Sequence, residues 1–116
     1  MYLSVIIPYF NEKNHIIDNL IEINNYFRNK FEFEIIIIDD SGKNNFKKNF
    51  SKNLLTNFIN NLTIIENKKN YGKGYSIKKG VKKSKGKIIL FTDADLSTPI
   101  KEFEKLYSFY KHNYKI

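Results

Sequence analysis

The chain contains no cysteine, which excludes disulfides and thiolate-held metals and leaves the redox compartment open. Arginine is nearly absent too: of 20 basic residues only Arg28 is one. A formal charge of +8 invites a nucleic-acid reading. Arginine, however, is the better bidentate reader of phosphate and guanine, so its scarcity argues against that partner. The crowding of Lys, Asn, Ile, Phe and Tyr is what an AT-rich coding sequence produces. A basic surface remains compatible with an anionic membrane or an anionic substrate. Long apolar runs are also missing. The longest aliphatic stretch, Ile35 to Ile38, is far short of the roughly 20 residues of a membrane span. The N-terminus, MYLSVIIPYF, lacks the basic region and small-residue cleavage site of a signal peptide. A soluble, cytoplasmic domain is expected. With 116 residues there is room for one domain and one core, and no repeat or linker divides the chain.

What is present is organised around Lys87 to Pro99, KIILFTDADLSTP. Ile88 to Phe91 reads as a buried strand that delivers Thr92, Asp93 and Asp95 to its C-terminal edge, where ligands collect in open α/β sheets. Two aspartates separated by one small residue can share a hard divalent cation, and such a cation is usually completed by phosphate oxygens and water. The bland alternative is that both aspartates only cap a turn.

Three further units precede this one. Leu3 to Ile7 reads as a first strand stopped by Pro8, because proline cannot donate to a ladder. Asn11 then N-caps a helix striped by Ile16, Ile17, Leu20, Ile21 and Phe27. Ile35 to Ile38, led in by Phe33, reads as a central parallel strand. It ends in Asp39-Asp40-Ser41-Gly42, either a pair of ligand-facing carboxylates or an Asx-type turn. A second stripe, Phe46, Phe50, Leu54, Leu55, Phe58 and Ile59, predicts one helix over 45–59, weakened by its asparagines. Leu62 to Ile65 is a third strand. Asn70-Tyr71-Gly72-Lys73-Gly74 then opens a helix running to about Lys85, a turn whose backbone N–H groups suit an anion and whose Lys73 can reach a phosphate. The spacing is not that of a Walker A loop. Gly80 fits close helix–sheet packing, and Lys78, Lys79, Lys82, Lys83 and Lys85 fit a solvated face. Thr98 and Pro99 start a last helix striped by Ile100, Phe103, Leu106, Tyr107 and Tyr110. His15 and His112 read as exposed. The sum is an α/β domain with a parallel sheet in order 3-2-1-4 and right-handed crossovers. The turns after strands one, two and four then meet at one edge, beside the switch point between strands one and four.

In order and spacing, SVIIPYFNE (4–12), EIIIIDDSG (34–42), NYGKGYSIKKGVKKSKG (70–86) and FTDADLSTP (91–99) resemble the N-terminal, nucleotide-binding half of family 2 glycosyltransferases. The DADLSTP form looks most like the polyprenyl- or dolichyl-phosphate β-glucosyltransferases, since mannosyl relatives usually carry glutamine where Ser97 stands. The resemblance implies a Rossmann-like GT-A half with helices on both faces of the sheet, and a nucleotide-sugar donor, UDP-glucose. It places Pro8, Tyr9 and Glu12 around the nucleobase and ribose, and Asp39 on the base N–H with Asp40 beside it. Lys73 falls near the phosphates. Asp95 becomes the main ligand of Mg²⁺ or Mn²⁺, with Asp93 assisting it and the ribose. A polyprenyl phosphate at a membrane surface is the implied acceptor, with the domain peripheral to the cytoplasmic face.

The chain departs from the family pattern in two places. The usual DDGSxD reads Asp39-Asp40-Ser41-Gly42-Lys43-Asn44, with Ser and Gly exchanged and the later aspartate absent. Residues 1–116 also read as a single donor domain that stops before the acceptor half, where the family's catalytic base lies. Glu102 and Glu104 fall on the last helix and supply no substitute. An inactive nucleotide-sugar binder or one part of a split enzyme is the competing reading, and a nucleic-acid module the least favoured. Without an acceptor half, a sheet edge is left for a second copy or second chain to cover.

Overall fold

A computed structural model of the chain describes residues 2–10, 16–50, 55, 59 and 61–92. They form β1 (Leu3–Tyr9), α1 (Ile16–Phe27), β2 (Phe33–Asp39), α2 (Asn45–Asn49), β3 (Leu62–Glu66), α3 (Lys73–Lys83) and β4 (Ile88–Phe91). The expected helix after Pro99 lies outside the described residues. All strand pairs are parallel and the order is β3-β2-β1-β4, the order expected from the sequence.

The strands alternate cleanly between two packing layers, because successive side chains point to opposite faces. Leu3, Val5, Ile7 and Tyr9 of β1 join Phe33, Ile35 and Ile37 of β2 under α1 and Phe46 of α2. Ile6, Ile36 and Ile38 form the opposite layer, and α3 packs there. A Cβ on Gly80 would lie 2.6 Å from Ile6 Cγ2 and 2.8 Å from Ile38 Cδ1, so the helix approaches the sheet only because that Cβ is missing. Ile35 to Ile38 are each 0–1 % exposed. Fully burying a side chain of that size is worth about 1.5–3 kcal/mol, which makes β2 the backbone of both layers.

Three boundaries differ from the sequence expectation. Pro8 does not end β1: Pro8 pairs Ile38 and Tyr9 pairs Asp39. Ile6 O accepts from Thr92 on the β4 side and Tyr9 O from Asp40 on the β2 side. By that alternation the Pro8 nitrogen faces β4, just beyond the last pair Ile6–Phe91, and with no N–H to give it ends the β1–β4 ladder there while β1 continues along β2. The expected helix over 45–59 is interrupted, since Phe50 is extended at φ −135° and ψ 128°. Leu55 and Ile59 are still buried in the α1 layer, and Ile59 N–H donates to Leu55 O. Helix α3 ends at Lys83 rather than Lys85.

At the amino-terminal edge, buried Glu34 gathers the segment that follows α3. Its Oε2 accepts from Ser4 Oγ at 2.6 Å and from Lys85 N–H at 2.7 Å, while Ser4 Oγ accepts from Gly86 N–H at 2.8 Å. Gly86 sits so close to β1 that a Cβ would lie 2.6 Å from Ser4 N. The chain is thereby pinned where it enters β4.

Candidate functional site

The carboxyl ends of the strands carry the residues that the sequence singles out. Tyr9, Asp39 and Glu66 lie side by side in register, and β4 stops opposite Ile6. The edge therefore steps down between β1 and β4, at the point where strand order reverses.

Asp39 and Asp40 sit next to each other but do different work, because alternation sends them to opposite faces. Asp39 is fully buried. Its Oδ1 accepts Ser41 N–H at 2.9 Å, an Asx turn, and its Oδ2 accepts Phe46 N–H at 2.9 Å. Asn44 precedes α2 in the left-handed region and makes no side-chain cap, so Asp39 supplies from a distance the acceptor that the helix start needs. Ser41 Oγ accepts from Lys43 N–H and Asn45 N–H at 3.2 Å each. Gly42 lies at φ +74°, and a Cβ added there would lie 3.1 Å from Lys69 Cα. That is where the exchanged Ser-Gly order places the one residue that tolerates both conditions.

Asp40 faces the α3 layer. Its Oδ1 accepts Asn67 Nδ2 and Tyr71 N–H, and its Oδ2 accepts Gly72 N–H, all at 2.8 Å. The glycine-rich turn that reads as an anion cradle thus already holds an anion, the carboxylate of Asp40. Gly72 adopts φ 98° and ψ 164°, a region open in practice to glycine alone. Asn67 is the hub of this network. Its Nδ2 also donates to Ser76 Oγ at 3.1 Å, its Oδ1 accepts from Lys79 Nζ at 3.0 Å, and its N–H donates to Asp39 O. Sequence reasoning missed Asn67 and Ser76. The available signal was that Asn67 directly follows β3, as Asp40 directly follows β2.

Tyr9 is expected beside the nucleoside. Its side chain is fully buried and meets Phe46 edge-on at 5.2 Å, so it presents no ring to a ligand. With β1 running through Pro8, alternation turns residue 9 inward, and the aromatic left at the edge is Phe10, 46 % exposed. The base-contact role for Asp39 is likewise not visible in its geometry, since both oxygens serve its own turn and the group is sealed from solvent. Pro8 lies at the edge half-buried and Lys73 is exposed at the start of α3. Glu12, Asp93 and Asp95 lie outside the described residues. Among the described residues no group of three His, Cys, Asp or Glu could hold a metal ion.

With this geometry in place, comparison with known proteins is decisive. The sequence profile of Glycosyl transferase family 2 matches residues 4–116. The chain belongs to that family. Among the family's curated members, the dolichyl-phosphate beta-glucosyltransferase of Dictyostelium discoideum is 36 % identical over 112 residues, covering 91 % of this chain and 34 % of the relative. The Homo sapiens dolichyl-phosphate beta-glucosyltransferase is 32 % identical over 110 residues, covering 90 % and 34 %. The chain thus spans about a third of the length of these family 2 relatives. S. aureus TarS 1-349, solved in complex with UDP-GlcNAc, superposes with a TM-score of 0.68 at 24 % identity, over 97 % of this chain and 32 % of TarS. Mannosyltransferase PcManGT from Pyrobaculum calidifontis, solved with GDP-Man and Mn²⁺, gives 0.57 at 24 % identity over 80 % and 27 %. These structures share the GT-A fold of the family 2 domain described here.

Proposed function

We propose that this chain is the donor-binding domain of an inverting glycosyltransferase that uses UDP-glucose and a polyprenyl-phosphate acceptor. The observation that carries the proposal is the match to dolichyl-phosphate beta-glucosyltransferases over 91 % of the chain. The solved neighbours' nucleotide sugars and Mn²⁺ support the donor class.

In the proposed reaction, a phosphate oxygen of the acceptor attacks the sugar's anomeric carbon from the face opposite the leaving group. The bond from that carbon to the diphosphate breaks, and UDP leaves with its electron pair. The acceptor oxygen is already anionic, so the step needs no base from this chain. Asp95, assisted by Asp93, is the fitting ligand set for Mg²⁺ or Mn²⁺, being oxygen-only and closely spaced. Asp39 and Asp40 are excluded from that set because backbone and amide N–H groups occupy their carboxylates. When bound, the ion neutralises charge on the departing diphosphate. Lys73 adds positive charge toward the phosphates, Pro8 and Glu12 border the nucleoside, and Phe10 offers a ring for the base to stack on.

Calorimetric titration of UDP and UDP-glucose, with and without Mn²⁺, on wild type and Asp95→Asn tests the proposal. Metal-dependent binding that disappears in Asp95→Asn is expected. Binding that ignores both the metal and the substitution overturns the assigned site, and no binding at all overturns the donor-domain reading.

A further inference from the structure

The positive charge is concentrated in one segment. Residues 67–92 hold nine lysines and no acidic residue, whereas the remainder of the chain holds eleven basic and twelve acidic residues. That segment is α3, the turns on either side of it and β4. One side of α3 is committed to the sheet through buried Ser76 and Gly80. With 3.6 residues per turn, Tyr75, Lys78, Val81 and Lys82 fall on the other side, Tyr71 lies in the turn just before the helix, and all of them are exposed. The Tyr71 and Tyr75 rings lie 4.5 Å apart and are 47 % and 46 % exposed.

A face that only contacts water has no use for two adjoining exposed rings and a valine among its lysines. The boundary of a bilayer has a use for both. Tyrosine places its apolar body at headgroup depth with the hydroxyl in water, and lysine lays its stem on apolar surface while the ammonium meets anionic headgroups. A phosphate reader for nucleic acid would favour arginine, and the sole arginine, Arg28, follows α1 in the opposite layer.

We propose that the outward face of α3, centred on Tyr71, Tyr75, Lys78, Val81 and Lys82, docks the domain onto an anionic lipid bilayer. Lys68, Lys69, Lys83, Lys85 and Lys87 supply the surrounding field. The surface rests on charge and exposure and does not depend on the donor site.

Co-sedimentation with phosphatidylcholine vesicles, with and without phosphatidylserine, tests it. Binding to the anionic vesicles alone is expected, weakening as salt screens the surface. Each lysine near such a surface is worth about five-fold in partition. Lys78→Gln combined with Lys82→Gln should therefore lower binding about 25-fold, in a variant that melts with wild type. Tyr71→Ser combined with Tyr75→Ser should lower it several-fold at unchanged salt slope. Equal binding to neutral vesicles, or anionic binding unmoved by the lysine variant, overturns the proposal. So does duplex DNA bound more tightly than anionic vesicles and indifferent to the tyrosines, which would make the face a polyanion site. UDP titration on the same preparations keeps the two proposals separable.

Discussion

Asp40→Asn isolates what the buried carboxylate contributes, because the replacement keeps shape and volume. Asp40 is 4 % exposed and accepts from Asn67, Tyr71 and Gly72, each at 2.8 Å. Asparagine can put its amide oxygen in the Oδ1 position and keep two of those bonds. Its NH₂ must then face Gly72 N–H, donor against donor, and a buried donor left unpaired costs about 1–3 kcal/mol. The two surviving bonds lose charge assistance, which roughly halves them. The start of α3 also loses a negative charge worth about 0.3–1 kcal/mol. The sum is about 3 kcal/mol, a large share of the roughly 5–15 kcal/mol that holds such a domain folded. At this chain length that is a fall in Tm of about 10–15 °C, or about 2 M in the urea midpoint for an m-value near 1.5 kcal/mol/M. Urea titration followed by circular dichroism reads it directly. A midpoint within about 0.3 M of wild type would refute the reasoning, showing that the carboxylate's charge does not matter to the turn.

The two close-packed glycines should separate in cost. Gly86→Ala drives a Cβ into the β1 backbone at Ser4 N and Leu3 C, whereas Gly80→Ala meets side-chain methyls of Ile6 and Ile38 rather than backbone. Overpacking costs about 1–3 kcal/mol, and at Gly80 it is offset by about 1 kcal/mol of helix propensity. Gly86→Ala should therefore be the more damaging in thermal melts, and the reverse order would mean that β1 yields more easily than α3. Ser4→Ala removes one donor to Glu34 and the acceptor of Gly86 N–H, for a loss of about 1–3 kcal/mol. An unchanged urea midpoint would show that the Glu34 cluster contributes nothing.

Much of the fold was legible because it rests on local pattern. Four consecutive isoleucines led in by Phe33 and closed by Asp39-Asp40-Ser41-Gly42 read as a strand buried on both faces, and the other units were placed around it. Gly80 was legible for the same reason, as a small residue on an apolar helix face. Errors arose where one residue changes parity or where contacts are distant in sequence. Taking Pro8 as a stop left Tyr9 in a loop, whereas a strand running through it turns Tyr9 inward and brings Phe10 to the edge. Asn67 meets Asp40 across 27 residues and becomes a hub only through the β2–β3 register. The interruption at Phe50 falls inside an unbroken apolar stripe, which periodicity alone reads as one helix.

Glu34 in β2 and Asp40, the residue directly after β2, lie on the same face, six positions apart. At about 3.3 Å per residue their stations are roughly 20 Å apart. One grips the turn entering α3 and the other the segment leaving it. The ten helical steps of α3 cover about 15 Å, and the non-helical residues at either end, Gly72 and Ser84, extend the span toward the same length. Strand β2 therefore acts as a calliper whose two jaws close on the ends of α3. The helix has no freedom to slide along the sheet, and an inserted turn of about 5.4 Å would force one jaw open. Whatever docks on the outer face of α3 is mechanically coupled, through a single strand, to the edge where the donor site is proposed.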